Sequence, residues 1–249
     1  VEVEVSDEVT VDIASDLQGV AVELPGPLGK LASSKAPINL AWSNVSDPSW
    51  SLFWPGRLSA WIGAGTDRLP SMLVDFTAQI QPLSTAMTID EPGVTLTGEI
   101  PRVDISEWLA LGSTHMGSSD DTLPATLRVS DMQIKKLAWG DADLGDATLN
   151  MHSDGLSLTA AFDLDWLSGH YSVMGADIFD EPIRELLIKH INLSALSDTT
   201  KNNKYFTKGE DVNELLGRSA PFRLTLEEVY REGLNLGGVS LIAERPDAA

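Results

Sequence analysis

The side chains in this sequence that could support chemistry are four histidines, two close aspartate pairs, two Ser-Asp dipeptides and a group of tryptophans. His115, His152, His170 and His190 have no partner at i+4 and no metal-ligand spacing, so each reads as a solvated or strand-flanking imidazole. There is no cysteine, and hence no thiol nucleophile. Ser15-Asp16 and Ser130-Asp131 lack the flanking glycines of a nucleophile elbow. Asp163 and Asp165 flank Leu164 in an alternating run, which turns both carboxylates to the wet face as ordinary solvated acids. Asp141 and Asp143 lie in a Gly-rich turn, where calcium is a less remote ligand. Trp42, Trp50, Trp54 and Trp61 suit a core, an apolar groove or a sugar platform. Nothing resembles a phosphate-cradling loop. These residues predict a protein that is not an enzyme, with no catalytic residue, no metal and no cofactor.

The elements that would position these residues are strands. Period-two alternation runs through Val1, Val3, Val5, Val9, Val11 and Ile13; through Met72, Val74, Phe76, Ala78 and Ile80; and through Val94, Leu96, Gly98 and Ile100. The cleanest run is Leu156, Leu158, Ala160, Phe162, Leu164 and Trp166, set against Ser157, Thr159, Ala161, Asp163 and Asp165. Such runs are half-buried strands with one apolar and one wet face. Glu91-Pro92-Gly93, Ser153-Asp154-Gly155, Leu167-Ser168-Gly169 and Glu232-Gly233 read as the turns between them. Helices are few: Ser106-Glu107-Trp108-Leu109-Ala110-Leu111, started by Ser106 or Asp104 and closed by Gly112, and a second over residues 211–217. Residues 180–188 open like a helix at Asp180-Glu181-Pro182, yet their end matches a strand, which we place from about Glu185. Polar loops are expected over 112–122 and 197–209.

A short unit recurs at the ends of these strands: Ala14-Ser15-Asp16-Leu17-Gln18, Val129-Ser130-Asp131-Met132-Gln133, Ile188-Lys189-His190-Ile191-Asn192 and Leu226-Glu227-Glu228-Val229-Tyr230. Two successive polar residues break the alternation, and a β-bulge restores it by inserting one residue and bending the strand. Repeated bends curl a sheet that grows by addition. Its apolar face then either packs on a second sheet, as in a sandwich, or lines an open gutter.

With 249 residues, 43% of them hydrophobic, the chain can form one large all-β unit or two ordinary domains. The 112–122 stretch could separate 1–112 from 123–249, but the unit recurs on both sides, so 1–249 reads as a single elongated sheet. A net charge of -20 and a pI near 4.3 argue against nucleic acid and against anionic headgroup surfaces. No apolar run of bilayer-spanning length occurs. Val1 follows no Met, basic region or apolar leader, so the chain reads as a processed product or an excised piece.

Ser15-Asp16-Leu17-Gln18-Gly19-Val20-Ala21-Val22-Glu23-Leu24-Pro25-Gly26-Pro27-Leu28-Gly29-Lys30 resembles the D-L-x-G … L-P-x-P-L-G-K segment of the AsmA-like family, in its YhdP-type branch. Gly98-Glu99-Ile100-Pro101-Arg102-Val103-Asp104-Ile105-Ser106-Glu107-Trp108 is similar to the same family's G-x-x-P … D … W segment. Pro124-Ala125-Thr126-Leu127 and Pro221-Phe222-Arg223-Leu224 fit its later repeats. The resemblance implies the C-terminal portion of a bridge-like lipid transfer protein of Gram-negative bacteria. Such a protein is anchored in the inner membrane, extends through the periplasm as a curled β-sheet, and delivers phospholipid in outer membrane biogenesis. The expected fold is all-β and mainly antiparallel, a long twisted sheet curled into an open hydrophobic groove with a few short helices. The partner is phospholipid; membrane contacts are made by other parts of the full-length protein, and unpaired edges allow self-association. Lipid-contacting residues would come from the alternating sets, above all Val94, Leu96, Leu127, Val129, Leu156, Leu158, Phe162 and Leu164. A scaffold β-sandwich without ligand and a glycan-binding β protein are the alternative readings.

Overall fold

The computed structural model describes residues 9–44, 48–64, 70–77, 92–115, 126–154, 157–174, 183–195 and 222–243. These form one open sheet of fifteen strands with few helical turns. In chain order the strands are β1 (Thr10–Ser15), β2 (Ile38–Ser43), β3 (Ser49–Trp54), β4 (Leu58–Ala64), β5 (Pro70–Asp75), β6 (Gly93–Ile100), β7 (Val103–Asp104) and β8 (Leu127–Trp139). They continue as β9 (Ala142–Ser153), β10 (Leu158–Leu164), β11 (Leu167–Met174), β12 (Ile183–Asn192), β13 (Phe222–Arg231), β14 (Leu234–Asn235) and β15 (Val239–Ala243). Spatial order follows chain order from β1 to β13, with β7 beside the end of β8 and β14 and β15 together forming the last edge. The two halves on either side of the 112–122 stretch belong to this one sheet, joined where β6 pairs with β8.

Most pairs are antiparallel, as expected of short alternating strands. Four are parallel: β5 with β6, β6 with β8, β7 with β8, and β12 with β13. Local sequence gives no sign of them, because parallel pairing is set by the long connection that carries the chain back across the sheet. One such connection holds α1 (Ile105–His115). The Asp104 carboxylate caps α1, accepting from the Ser106 N–H at 3.0 Å and the Ser106 hydroxyl at 2.6 Å. The helix runs three residues past Gly112, so that glycine does not close it. With the carbonyl ladder already engaged, a glycine costs only about 1 kcal/mol in a helix interior and need not end it.

The bulge expectation holds where the register reveals it. Between Val129 and Met132, β8 advances three residues while β9 advances two, with Asp131 at φ 46°. β6 sees the same extra residue, stepping from Thr97 to Glu99 as β8 steps from Ser130 to Gln133. β12 carries its extra residue at Lys189, opposite Ser168 and Gly169. β13 keeps parallel register with β12 through Leu226, Glu228 and Val229, so Glu227 is its counterpart. The first copy differs: β1 stops at Ser15 and Leu17 turns the chain at φ 49°.

Two local expectations are corrected. Leu167-Ser168-Gly169 opens β11, and the reversal lies instead at Asp165-Trp166. Residues 183–192 are strand throughout, beginning two residues before the expected Glu185. Glu232-Gly233 is a turn, with φ 51° and 79°. The expected helix at 211–217, the loop at 197–209, and Leu156, Val1, Val3, Val5, Ala78 and Ile80 lie outside the described residues.

Candidate functional site

Paired residues in a sheet project to the same face, so the registers can be followed across the molecule. One row reads Ile13, Leu40, Leu52, Ala60, Val74, Leu96, Val129, Met151, Ala160, Tyr171, Leu186, Leu224 and Leu241. Every member is apolar or aromatic. At about 4.8 Å per strand spacing, twelve spacings make an apolar track on the order of 58 Å along the sheet. Two residues along each strand a parallel row runs Val11, Trp42, Trp50, Ile62, Met72, Val94, Leu127, Ser153, Leu158, Val173, Arg184 and Phe222. On its other side lie Met132, Leu149, Phe162, Ile188 and Leu226, then Ile134, Ala147 and Leu164. On the opposite face one row reads Asp12, Ala41, Ser51, Trp61, Leu73, Thr95, Arg128, His152, Thr159, Ser172, Glu185, Arg223 and Ile242, mostly polar but with Trp61 and Leu73 buried.

The bulges keep this division intact. Without the extra residue in β8, Asp131 would stand on the apolar face in phase with Val129. The bulge sets it aside and returns Met132 and Ile134 to the apolar side, where they are 3% and 6% exposed. Lys189 and Glu227 are set aside in the same way, leaving Ile191 and Val229 in phase with the apolar rows.

Seven of the eight expected lining residues are described, and all seven share this face. Val94, Leu127 and Leu158 stand together in the row toward the upper margin, where Thr10, Ser43, Pro70 and Gly93 lie. Leu96 is in the central row, and Phe162 is one row below it. Val129 and Leu164 are buried in a cluster with Met132, Ile134, Ala142, Leu144 and Ala147, so they form the floor rather than the accessible wall. Burial is deepest at mid-sheet and relaxes outward: Val11 and Ile13 are 43% and 49% exposed at one edge, Val239 and Leu241 58% and 47% at the other.

The lower margin, carrying Ser15, Trp54 and Ile100, is covered. Ile105 of α1 and Val103 of β7 pack on the buried cluster. Residues 16–37, between β1 and β2, run along the strand ends: Arg57 stacks over Trp54 at 4.5 Å and donates to the Gly29 carbonyl at 2.7 Å. Gly26 of the same segment approaches the Arg102 carbonyl beyond β6. The buried Lys30 ammonium fastens this strap, donating to the carbonyls of Leu17, Val20 and Leu31 at 2.8, 2.8 and 2.9 Å. The Leu-Pro-Gly-Pro-Leu-Gly-Lys stretch thus has a structural account: Gly29 is there because a Cβ would meet the Leu24 carbonyl at 2.5 Å, and Lys30 because it satisfies three carbonyls at once.

The tryptophans divide between faces. Trp42 and Trp50 lie tilted together on the apolar face, ring centroids 6.4 Å apart, and Trp54 is in phase with Trp50. Trp61 is on the other face, where its ring fills the place a side chain at Gly63 would take. The four rings therefore do not form one platform.

Polar chemistry is dispersed. Asp163 and Asp165 are exposed, as their alternation predicts. Asp143 is engaged by Lys136 at 2.7 Å and by the Gly145 N–H at 3.1 Å; the lysine and that N–H hold its carboxyl below the usual range. A cleft of about 590 Å³ beside this pair is lined by Lys135, Lys136, Asp143, Asp146, Asp165 and Trp166, among others. His190 stacks on Tyr230 at 5.1 Å, with Nδ1 3.9 Å from Glu228. His152 is exposed and His170 half-buried, both on the wet face. Among the described residues, no three His, Cys, Asp or Glu side chains converge as a metal-ligand group, and no helix is long and apolar enough to cross a membrane.

Sequence reasoning missed Arg184. It stands on a ladder position of the apolar face, between Val173 and Phe222; Arg231, in phase with Val229 and opposite Leu234, is a second charged residue of that phase, at the sheet edge. The signal was available: Arg184, Leu186 and Ile188 share a phase in β12.

Comparison with protein-family models, with curated proteins and with solved structures finds no match in any of the three.

Proposed function

We propose that this chain is a periplasmic segment of a bridge-like lipid transfer protein, whose apolar sheet face shelters phospholipid acyl chains between inner and outer membrane. The observation that carries the reading is the unbroken apolar row from Ile13 to Leu241 on a sheet that does not close into a barrel. An acyl chain of about 16 carbons needs on the order of 12 kcal/mol of shelter at about 0.8 kcal/mol per CH₂. A pocket gives that in one place. A track of even apolarity gives it along its whole length, so a chain can shift from strand to strand without a large barrier.

The protein's part is physical rather than chemical. The covered lower margin supplies a floor, and the upper rows supply a mouth in which Trp50 and Ile62 are 42% and 41% exposed. Headgroups remain in water at that mouth while tails lie on the rows beneath. Sheltering of this kind requires no nucleophile, metal or cofactor. The family resemblance at 15–30 and 98–108 supports the same reading, including its setting in the periplasm of a Gram-negative cell and an inner-membrane anchor on the full-length protein.

A ligand-free scaffold is the reading favoured by the buried cluster around Met132 and Ile134, which packs as protein core. The two are separated by lipid analysis of protein purified from a Gram-negative host without detergent. Extraction into organic solvent, followed by mass spectrometry, is expected to yield phospholipid in near-stoichiometric amount. Lipid-free protein that also ignores a fluorescent acyl probe supports the scaffold.

A further inference from the structure

We infer that Arg184 is the anchor for a lipid phosphate at the mouth of the apolar face; the inference rests on the lipid-sheltering reading and specifies where a headgroup is held. Arg184 pairs in register with Val173, which pairs with Leu158, and on its other side with Phe222. It therefore stands among apolar side chains, in the row nearest the upper margin. The residue is half-buried, and among the described residues no hydrogen bond or ion pair engages its guanidinium.

This is unusual in a chain with 37 acidic residues and 17 basic ones. Several other cations have partners: Lys35 with Asp16, Lys135 with Glu99, Lys136 with Asp143, and Arg223 with Glu185 on the opposite face. A half-buried cation beside apolar side chains, with no carboxylate on it among the described residues, is placed to receive an anion that arrives with a ligand. The guanidinium fork matches a phosphodiester bidentately, and its weak hydration suits a half-buried position. A long arginine stem can pack beside acyl chains while its charged end reaches the mouth. The occupant this geometry fits is a diacyl phospholipid, with tails on Leu158, Leu186 and Leu224 and its phosphate on Arg184.

The test is equilibrium binding of two fluorescent lipids with identical acyl chains, phosphatidylglycerol and diacylglycerol, to the full chain and to Arg184→Gln, Arg184→Met and Arg223→Gln. Wild-type protein is expected to favour phosphatidylglycerol by about tenfold, the usual size of one charge-assisted contact. Both Arg184 variants should lose that preference and keep diacylglycerol affinity, whereas Arg223→Gln should keep the preference. An unchanged preference in folded Arg184→Met overturns the anchor and leaves the sheltering reading standing. Loss of both lipids in Arg184→Met and Arg184→Gln makes the residue structural and also overturns it. Displacement of the bound phospholipid by millimolar inorganic phosphate points to a free-anion site and overturns it too. Failure of wild-type protein to bind either lipid removes the sheltering reading itself.

Discussion

Asp131 and Asn150 hold each other across β8 and β9: the Asp131 N–H donates to Asn150 Oδ1 at 2.8 Å, and Asn150 Nδ2 donates to Asp131 Oδ1 at 3.2 Å. The pair clamps the bulge that keeps an acid off the apolar face. Asn150→Ala removes both bonds and is expected to destabilise the protein by about 1–2 kcal/mol, read as a lower urea midpoint. Asp131→Gly keeps the left-handed backbone and loses only the side-chain half of the clamp, so its cost should be smaller.

The strap along the lower margin depends on Lys30. Replacement by Met retains the stem and strips three carbonyls of their donor, at a cost of about 2–4 kcal/mol. Limited proteolysis should then cut within residues 16–37 before any other described segment. Cleavage at the wild-type rate would show that the ammonium is not what fastens the strap.

Asp104 predicts a pH dependence. Burial pushes its carboxyl upward, but the Ser106 hydroxyl, the N–H groups of Gly140 and Ser106, and the Arg102 guanidinium outweigh that and hold it below 3.8. A carboxylate whose folded-state pKa is depressed contributes stability above its unfolded value, and that contribution is lost as pH falls through the folded value. Wild-type protein should therefore be more stable than Asp104→Asn near neutrality, by about 1–3 kcal/mol. The gap in urea midpoints should shrink as pH drops below 3.8. A gap that stays constant into that acid range would contradict the assignment.

The legible part of this fold was its alternation and the breaks in it. Ser130-Asp131 and Lys189-His190 announce bulges because two polar residues in succession cannot both face water on a regular strand. Gly169 misled for a physical reason. It looked like a turn residue, yet it sits in β11 where a Cβ would come within 2.8 Å of the Phe162 ring, so its role is close packing. The parallel pairs were hidden because β5–β6 and β12–β13 contacts are fixed by long connections rather than by local residues. Within the candidate site, the shared face of Val94, Leu127 and Leu158 was readable from period two. The burial of Val129 and Leu164 depends on tertiary contacts no local pattern records.

A charge placed in the upper row tests the face as a surface. Leu127→Asp and Leu158→Asp put a carboxylate where tails would lie, and each should weaken a fluorescent acyl probe by tenfold or more, roughly the cost of desolvating an unpaired charge against hydrocarbon. Thr159→Asp, one residue away on the opposite face, should leave the probe affinity within about twofold. Equal losses in all three would point to general destabilisation, which circular dichroism melts would reveal.

The central claim is that hydrocarbon lies on one face of this sheet. Site-specific photocrosslinking in living Gram-negative cells addresses it most directly: a photoreactive residue at Leu158, Val173 or Trp50 on the apolar face, and at Thr159, Ser172 or Ser51 on the other, with phosphorus-labelled lipid as the readout. The account predicts labelled adducts at the first three positions and none at the second three. Adducts at neither set, or equally at both, would contradict it.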